Sequence, residues 1–159
     1  DPYQNTIVFR TMSKFAGMAG MRVGYAIVPK SMAPHMENIV QPCHNVSTVS
    51  AEAAIASLDD LDYLHEVIQK IIASRDELAA NLREIPGVEP YPSATNFLLV
   101  KLPVEDAGPV VAELANRGIL VRHFGNPALG LGQCLRVTVG LPDENERFLN
   151  QLADILEKA

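Results

Sequence analysis

The chain has 159 residues, 48% hydrophobic and 20% charged, with 10 Gly and 11 Pro, an ordinary globular composition for one domain of usual size or two small ones. Its 13 Lys and Arg against 19 Asp and Glu leave a net charge of −6, which argues against a general nucleic-acid or anionic-membrane surface while permitting a local basic pocket. No apolar run approaches the roughly 20 residues of a membrane-spanning helix, no charged-then-apolar leader opens the chain, and Cys43 and Cys134 make neither a disulfide framework nor a metal signature. The expectation is a soluble, cytoplasmic protein with neither nucleic-acid nor membrane partners.

In chain order, Thr6 to Phe9 reads as a short buried strand, because Ile7, Val8 and Phe9 are consecutive apolar residues with β-branched members. TMSKFAGMAG follows, too loose for a strand and rich in Gly for a helix. A second strand is expected in Met21 to Val28, stopped by Pro29. A short helix over Met32 to Val40 is interrupted by Pro42, and Ala-rich Ser47 to Leu58 suits a closely packed helix. Leu61, Leu64, Ile68, Ile71, Ile72, Leu78, Leu82 and Ile85 recur at three- and four-residue steps, which predicts a helix of about 25 residues ending at Pro86-Gly87. A helix that long often connects two bodies.

Beyond Pro92 the pattern becomes a compact alternation. Asn96 to Leu102 is a strand, Asp106 to Arg117 a helix closed by Gly118, Ile119 to Arg122 a strand, and Cys134 to Val139 another. His123 to Gln133 reads as a loop. The last helix opens with Asp143 and Glu146 in capping-box spacing and buries Phe148, Leu149, Leu152, Ile155 and Leu156. The parts are then 1–58, a connecting helix over 59–85, and a small α+β unit over 86–159. Residue 1 is Asp rather than Met, and two strands alone are marginal for a sheet; further chain is expected before residue 1.

The densest chemistry lies in Thr11-Met-Ser-Lys-Phe-Ala-Gly-Met-Ala-Gly-Met-Arg22-Val-Gly24. A neutral lysine amine condenses with an aldehyde, and hydroxyls, exposed N–H groups and an arginine suit a phosphate. Thr11, Ser13, Lys14 and Arg22 are the candidates. Spacing alone leaves open a surface Lys and Arg flanking a flexible turn. Arg136 shares a strand face with Thr138, and an arginine among apolar neighbours needs an anionic partner, either a substrate carboxylate or an internal acid. Arg122 ends its strand at a loop. Asn96 is a candidate for substrate contact or for turn capping. Tyr25 reads as strand packing and Glu105-Asp106 as helix N-terminal charge. His35, His44 and His65 lack metal-ligand spacing, and no metal is expected.

RTMSKFAGMAGMRVGYAIVP resembles the lysine segment of fold-type I, pyridoxal-phosphate-dependent aminotransferases of classes I and II, above all the histidinol-phosphate aminotransferase branch. QPCHNVSTVSAEAAIASL, ATNFLLV, GILVR and CLRVTVGLPDEN extend the resemblance along the whole chain, although Cys43 stands where an aromatic residue is more usual. The resemblance implies that Lys14 condenses with the cofactor aldehyde, that Ser13 and Arg22 hold its phosphate with Thr11 beside them, and that Arg136 grips the substrate α-carboxylate. In the histidinol-phosphate branch it also implies that Arg122 meets the substrate phosphate. His123, Phe124 and Asn126 depart from the sequences most expected there.

The fold so implied is α/β: the end of a large-domain sheet, a long connecting helix and a small α+β domain. The implied cofactor is pyridoxal 5'-phosphate, the implied partners are an amino donor and a 2-oxo acid, and the implied assembly is a homodimer. Family motifs that supply the pyridinium-pairing Asp, a ring-stacking aromatic and a phosphate-binding glycine turn are not found in these 159 residues, so the resemblance covers about the C-terminal half of a complete enzyme. The expected reaction is transamination of histidinol phosphate with 2-oxoglutarate. The alternatives are an aromatic or broad-range aminotransferase, a threonine-phosphate decarboxylase-like lyase, and a chain that is non-catalytic by itself.

Overall fold

The computed structural model describes residues 3–40 and 45–158. Pro42, Cys43 and His44, each given a reading from the sequence, lie outside the described residues. The chain forms two compact units, Asp1–Ile68 and Gln69–Ala159. The division falls inside one helix, whereas the sequence pattern placed boundaries at 58 and 85.

In the first unit, β1 (Val8–Thr11) runs directly into a single helical turn, α1 (Met12–Phe15). The Thr11 hydroxyl stops the strand by accepting a hydrogen bond from the Ser13 amide at 3.1 Å, the usual role of an N-cap threonine. A left-handed Gly17 (φ 67°) and a 3-10 turn over Ala19–Met21 then lead to β2 (Gly24–Ile27). β2 pairs antiparallel with β1, from Val8 against Ile27 to Thr11 against Gly24. Strand β1 therefore starts two residues later than the sequence pattern suggested, and it is exposed rather than buried. Phe9 is 72% exposed and Ile27 59%, because among the described residues these two strands pair only with each other.

A short helix, α2 (Ala33–His35), passes into a π-helical turn over Met36–Val40. Helix α3 (Thr48–Asp59) is capped by the Ser47 hydroxyl, which accepts from the Ser50 amide at 3.1 Å. Its small residues let the lysine segment approach closely. Met12 and Met18 pack with Ala54, joined by Phe15, Ala16, Val23 and Ala53, and Ser57 Oγ contacts Met18 Sδ at 3.4 Å.

Helix α4 (Leu61–Arg83) realises the predicted apolar stripe. It ends two residues before Ile85 because the last turn tightens: Glu84 and Ile85 donate to carbonyls three residues back, and Gly87 turns left-handed at φ 76°.

The second unit has a four-stranded antiparallel sheet in the order β3 (Glu89–Pro90), β4 (Phe97–Lys101), β6 (Cys134–Thr138), β5 (Arg122–His123). One face carries Leu98, Val100, Leu135 and Val137. These pack against Leu78, Ala79 and Leu82 of α4, Val110 and Leu114 of α5 (Gly108–Asn116), and Phe148, Leu152 and Ile155 of α6 (Pro142–Glu157). Fully burying one such leucine contributes about 1.5–3 kcal/mol, so this face anchors the unit. The opposite face carries Phe97, Leu99, Arg136, Thr138 and Arg122 by strand alternation.

Two elements differ from the sequence pattern for local reasons. The strand expected over Ile119 to Arg122 is realised as Arg122–His123. Gly118 at φ 78° and the Ile119 amide, donating to Leu114 O at 2.9 Å, still belong to the end of α5, so pairing starts later. Helix α6 begins at Pro142 rather than after Asp143. Proline has a preset φ at a first helical position, and Glu144, not Glu146, reaches back to accept from the Leu141 amide at 2.8 Å.

Candidate active site

The lysine segment is held by its neighbours rather than by its own propensity. Met12 is buried and its amide donates to Val23 O at 3.1 Å, while the Met18 amide returns to Met12 O at 3.2 Å. The chain therefore doubles back, and the approach to Arg22 lies beside the start of α1. Thr11 Oγ1 donates to Ser13 Oγ at 2.9 Å, so the two hydroxyls form one polar group next to exposed Lys14. Arg22 is the one non-glycine residue with positive φ (55°) among the described residues. Its guanidinium donates to Ala19 O at 3.4 Å. A left-handed arginine costs of order 1 kcal/mol, and such strain clusters where a side chain must be aimed. Two hydroxyls, an amine and a guanidinium on one turn form a donor set that fits an aldehyde bearing a phosphate.

The second unit brings Arg122 and Arg136 together. They are direct partners in the β5–β6 ladder, on the open face of the sheet. Among the described residues neither makes an ion pair with an Asp or Glu. The internal salt bridge that the sequence left open for Arg136 is therefore not formed there. Each guanidinium instead stacks on a phenyl ring, Arg136 over Phe97 at 5.0 Å and Arg122 over Phe124 at 5.7 Å. Stacking holds a guanidinium plane while leaving its N–H fork free for a carboxylate or phosphate. Like charges directly opposite on a sheet repel, so this pair calls for an anion.

Asn96 precedes β4 and is exposed. Its carbonyl accepts from the Val139 amide at 3.0 Å, and the turn before it is capped by Ser93 and Thr95 instead. Phe97 and Phe124 were not singled out as functional from the sequence; Phe124 lies close after Arg122 in the chain, whereas Phe97 meets Arg136 only through the β4–β6 register. Cys134 is buried on β6, where burial pushes its thiol pKa up, the setting of a structural cysteine. No helix among the described residues is long and apolar enough to cross a membrane.

The fold matches solved structures of fold-type I aminotransferases. The histidinol-phosphate aminotransferase of Clostridium acetobutylicum aligns with a TM-score of 0.88 at 25% identity, over 99% of this chain and 48% of that one. That of Sinorhizobium meliloti, solved in complex with pyridoxal-5'-phosphate, gives 0.78 at 34% identity over 98% and 41%. The L-threonine-O-3-phosphate decarboxylase of Porphyromonas gingivalis gives 0.83 at 25% over 97% and 47%. In sequence, the chain is 42% identical over 154 residues to a histidinol-phosphate aminotransferase of Roseiflexus castenholzii, covering 95% of this chain and 41% of that protein. The profile of aminotransferase class I and II matches residues 1–152. The chain belongs to that pyridoxal-phosphate-dependent family, and it spans less than half the length of these relatives.

Proposed function

We propose that the full-length protein carrying this chain is a homodimeric, cytoplasmic aminotransferase. It would use pyridoxal 5'-phosphate to move an amino group from L-histidinol phosphate to 2-oxoglutarate. The observation that carries this reading is the Arg122–Arg136 pair, two guanidiniums across one ladder step without an acid partner among the described residues. The donor's single phosphate offers several oxygens to such a pair, and the acceptor 2-oxoglutarate presents two carboxylates. Similarity to the Roseiflexus and Clostridium proteins supports the same donor.

Bound pyridoxal phosphate supplies an electron sink for negative charge at the substrate Cα. Ser13, Arg22 and Thr11 would hold its phosphate with hydroxyl and guanidinium donors. Lys14 would hold the cofactor at its aldehyde carbon, and its amine would be the group that moves a proton at the substrate Cα. Arg136 would orient the α-carboxylate of 2-oxoglutarate by a bidentate contact, Arg122 would take the distal anion, which in the donor is its phosphate, and Asn96 would border the substrate. The 159-residue chain by itself is expected to show no turnover, because the pyridinium-pairing acid is not among its residues.

The test is glutamate formation from L-histidinol phosphate and 2-oxoglutarate by the full-length protein. Lys14→Ala should abolish it and Arg136→Ala should raise KM by about a hundredfold; an active Lys14→Ala protein would overturn the reading. A second reading, decarboxylation, is favoured by the likeness to the Porphyromonas enzyme. Release of carbon dioxide from O-phosphothreonine, with no glutamate formed, would select it.

A further inference from the structure

Arg122 belongs to a strand of only two residues at the edge of its sheet, and its ladder partner is another cation. Neither feature by itself holds it in place: a two-residue edge strand has little pairing, and charge repulsion pushes it off the sheet. The next residue, His123, points to the other face, since successive strand residues alternate. There its Nε2 lies 3.2 Å from Asp106 Oδ1 and 3.1 Å from the Gly132 carbonyl oxygen. Both neighbours are acceptors, so Nε2 carries the proton and donates.

The two acceptors are themselves fixed. Asp106 Oδ1 accepts from the Gly108 amide at 2.9 Å, and Gly132 O accepts from the Ala107 amide at 2.8 Å. Glycines line the niche: a Cβ added at Gly108 or at Gly125 would come within 3.4 Å of His123 Cε1. The imidazole therefore ties β5 to the start of α5 and to the end of the loop that leads into β6.

We propose that His123 is a positioning residue, a hook on the covered face of the sheet that holds Arg122 in register on the open face for the distal anion of the substrate. The hook rests on the reading of Arg122 given above, but its anchoring of β5 does not. Glutamine reproduces the function, because its side-chain amide reaches about as far as Nε2 and offers two N–H donors for the two acceptors.

The experiment uses the full-length protein with His123→Ala and His123→Gln, and with L-histidinol phosphate and unphosphorylated L-histidinol as donors. His123→Ala should raise KM for the phosphorylated donor by about tenfold, with kcat and the unphosphorylated donor little changed, and His123→Gln should restore KM to within about twofold. Equal losses with both donors, or no rescue by glutamine, would overturn the proposal. Hydrogen exchange at residues 122–124 gives a readout independent of turnover: it should be at least about tenfold faster in His123→Ala than in wild type or His123→Gln. If wild type uses neither donor, the reaction was misread and exchange alone decides; equal rates then refute the hook.

Discussion

Arg122 and Arg136 face each other across one step of an antiparallel ladder, each with its guanidinium over a phenylalanine ring and neither ion-paired to an acid among the described residues. Opposed residues in such a ladder have Cα atoms about 4.5–5.5 Å apart. The two cationic side chains thus start from neighbouring positions on the open face, where water screens their mutual repulsion. The arrangement sacrifices stability for anion binding, and the two effects are separable by mutation.

Removing one charge while keeping a polar side chain should therefore stabilise the protein while harming substrate binding. Arg122→Gln is expected to raise the thermal midpoint in anion-free buffer by about 2 °C, the size of one relieved cross-strand repulsion. The same variant should bind inorganic phosphate more weakly than wild type in isothermal titration. A lower midpoint together with unchanged phosphate binding would show that the pair is structural.

Gly24 is a second place where backbone, not side chain, decides. It pairs with Thr11, and a Cβ there would lie 2.7 Å from the Arg10 carbonyl oxygen, closer than such atoms ever approach. Gly24→Ala must push β2 away from β1 at the end that carries Thr11, at a cost of about 1–3 kcal/mol. The expected outcome is at least about tenfold weaker pyridoxal-phosphate binding by the full-length protein, measured by fluorescence titration. Gly17→Asn is the control: that site is left-handed but open, and asparagine tolerates the conformation.

The long helix and the faces of β4 and β6 were legible in the sequence because their signals are local periodicities of 3.6 and 2. The lysine turn was not legible from spacing, which left a flexible surface loop open. Its shape depends on α3 packing against it: Met18 meets Ser57 and Ala54, more than thirty residues away. Resemblance to a family supplied the chemistry that periodicity could not. The shift of β5 has the same kind of cause, since the αL turn at Gly118 and the His123–Gly132 contact together decide where pairing begins. Apolar Ile119, Leu120 and Val121 read as strand, yet Leu120 is 86% exposed.

Asn145 is one of two buried polar side chains among the described residues, and its amide is fully used. It accepts from the Gly140 amide at 2.9 Å and donates to Ser74 Oγ at 3.0 Å and Gly140 O at 3.1 Å, tying the end of β6 to α4. Asn145→Leu strands the Gly140 N–H and should cost about 1–3 kcal/mol. Calorimetry should show the midpoint falling by about 5–15 °C. Ser74→Ala removes one of these bonds and should cost less than half as much.

Helices α5 and α6 are joined by charge as well as by packing. Arg117 bonds Glu113 at 2.9 Å and Asp154 at 2.6 Å, and Asp154 also pairs with Lys158. Hydrogen bonds from Lys158 and then Arg117 hold the Asp154 carboxyl below its ordinary 3.8, and Arg117, then Asn116, hold Glu113 below 4.5. Both folded-state values are depressed, so the stabilisation is present above the ordinary values and is lost as pH falls through the folded ones. Asp154→Asn should therefore lower the thermal midpoint slightly at pH 7, with the gap to wild type closing below about pH 3–4. These groups are half-buried and still reached by solvent, so the gap at pH 7 should also shrink in about 0.5 M salt. A gap that is constant from pH 7 to pH 2 would mean that Asp154 acts through its shape and hydrogen bonds rather than through its charge.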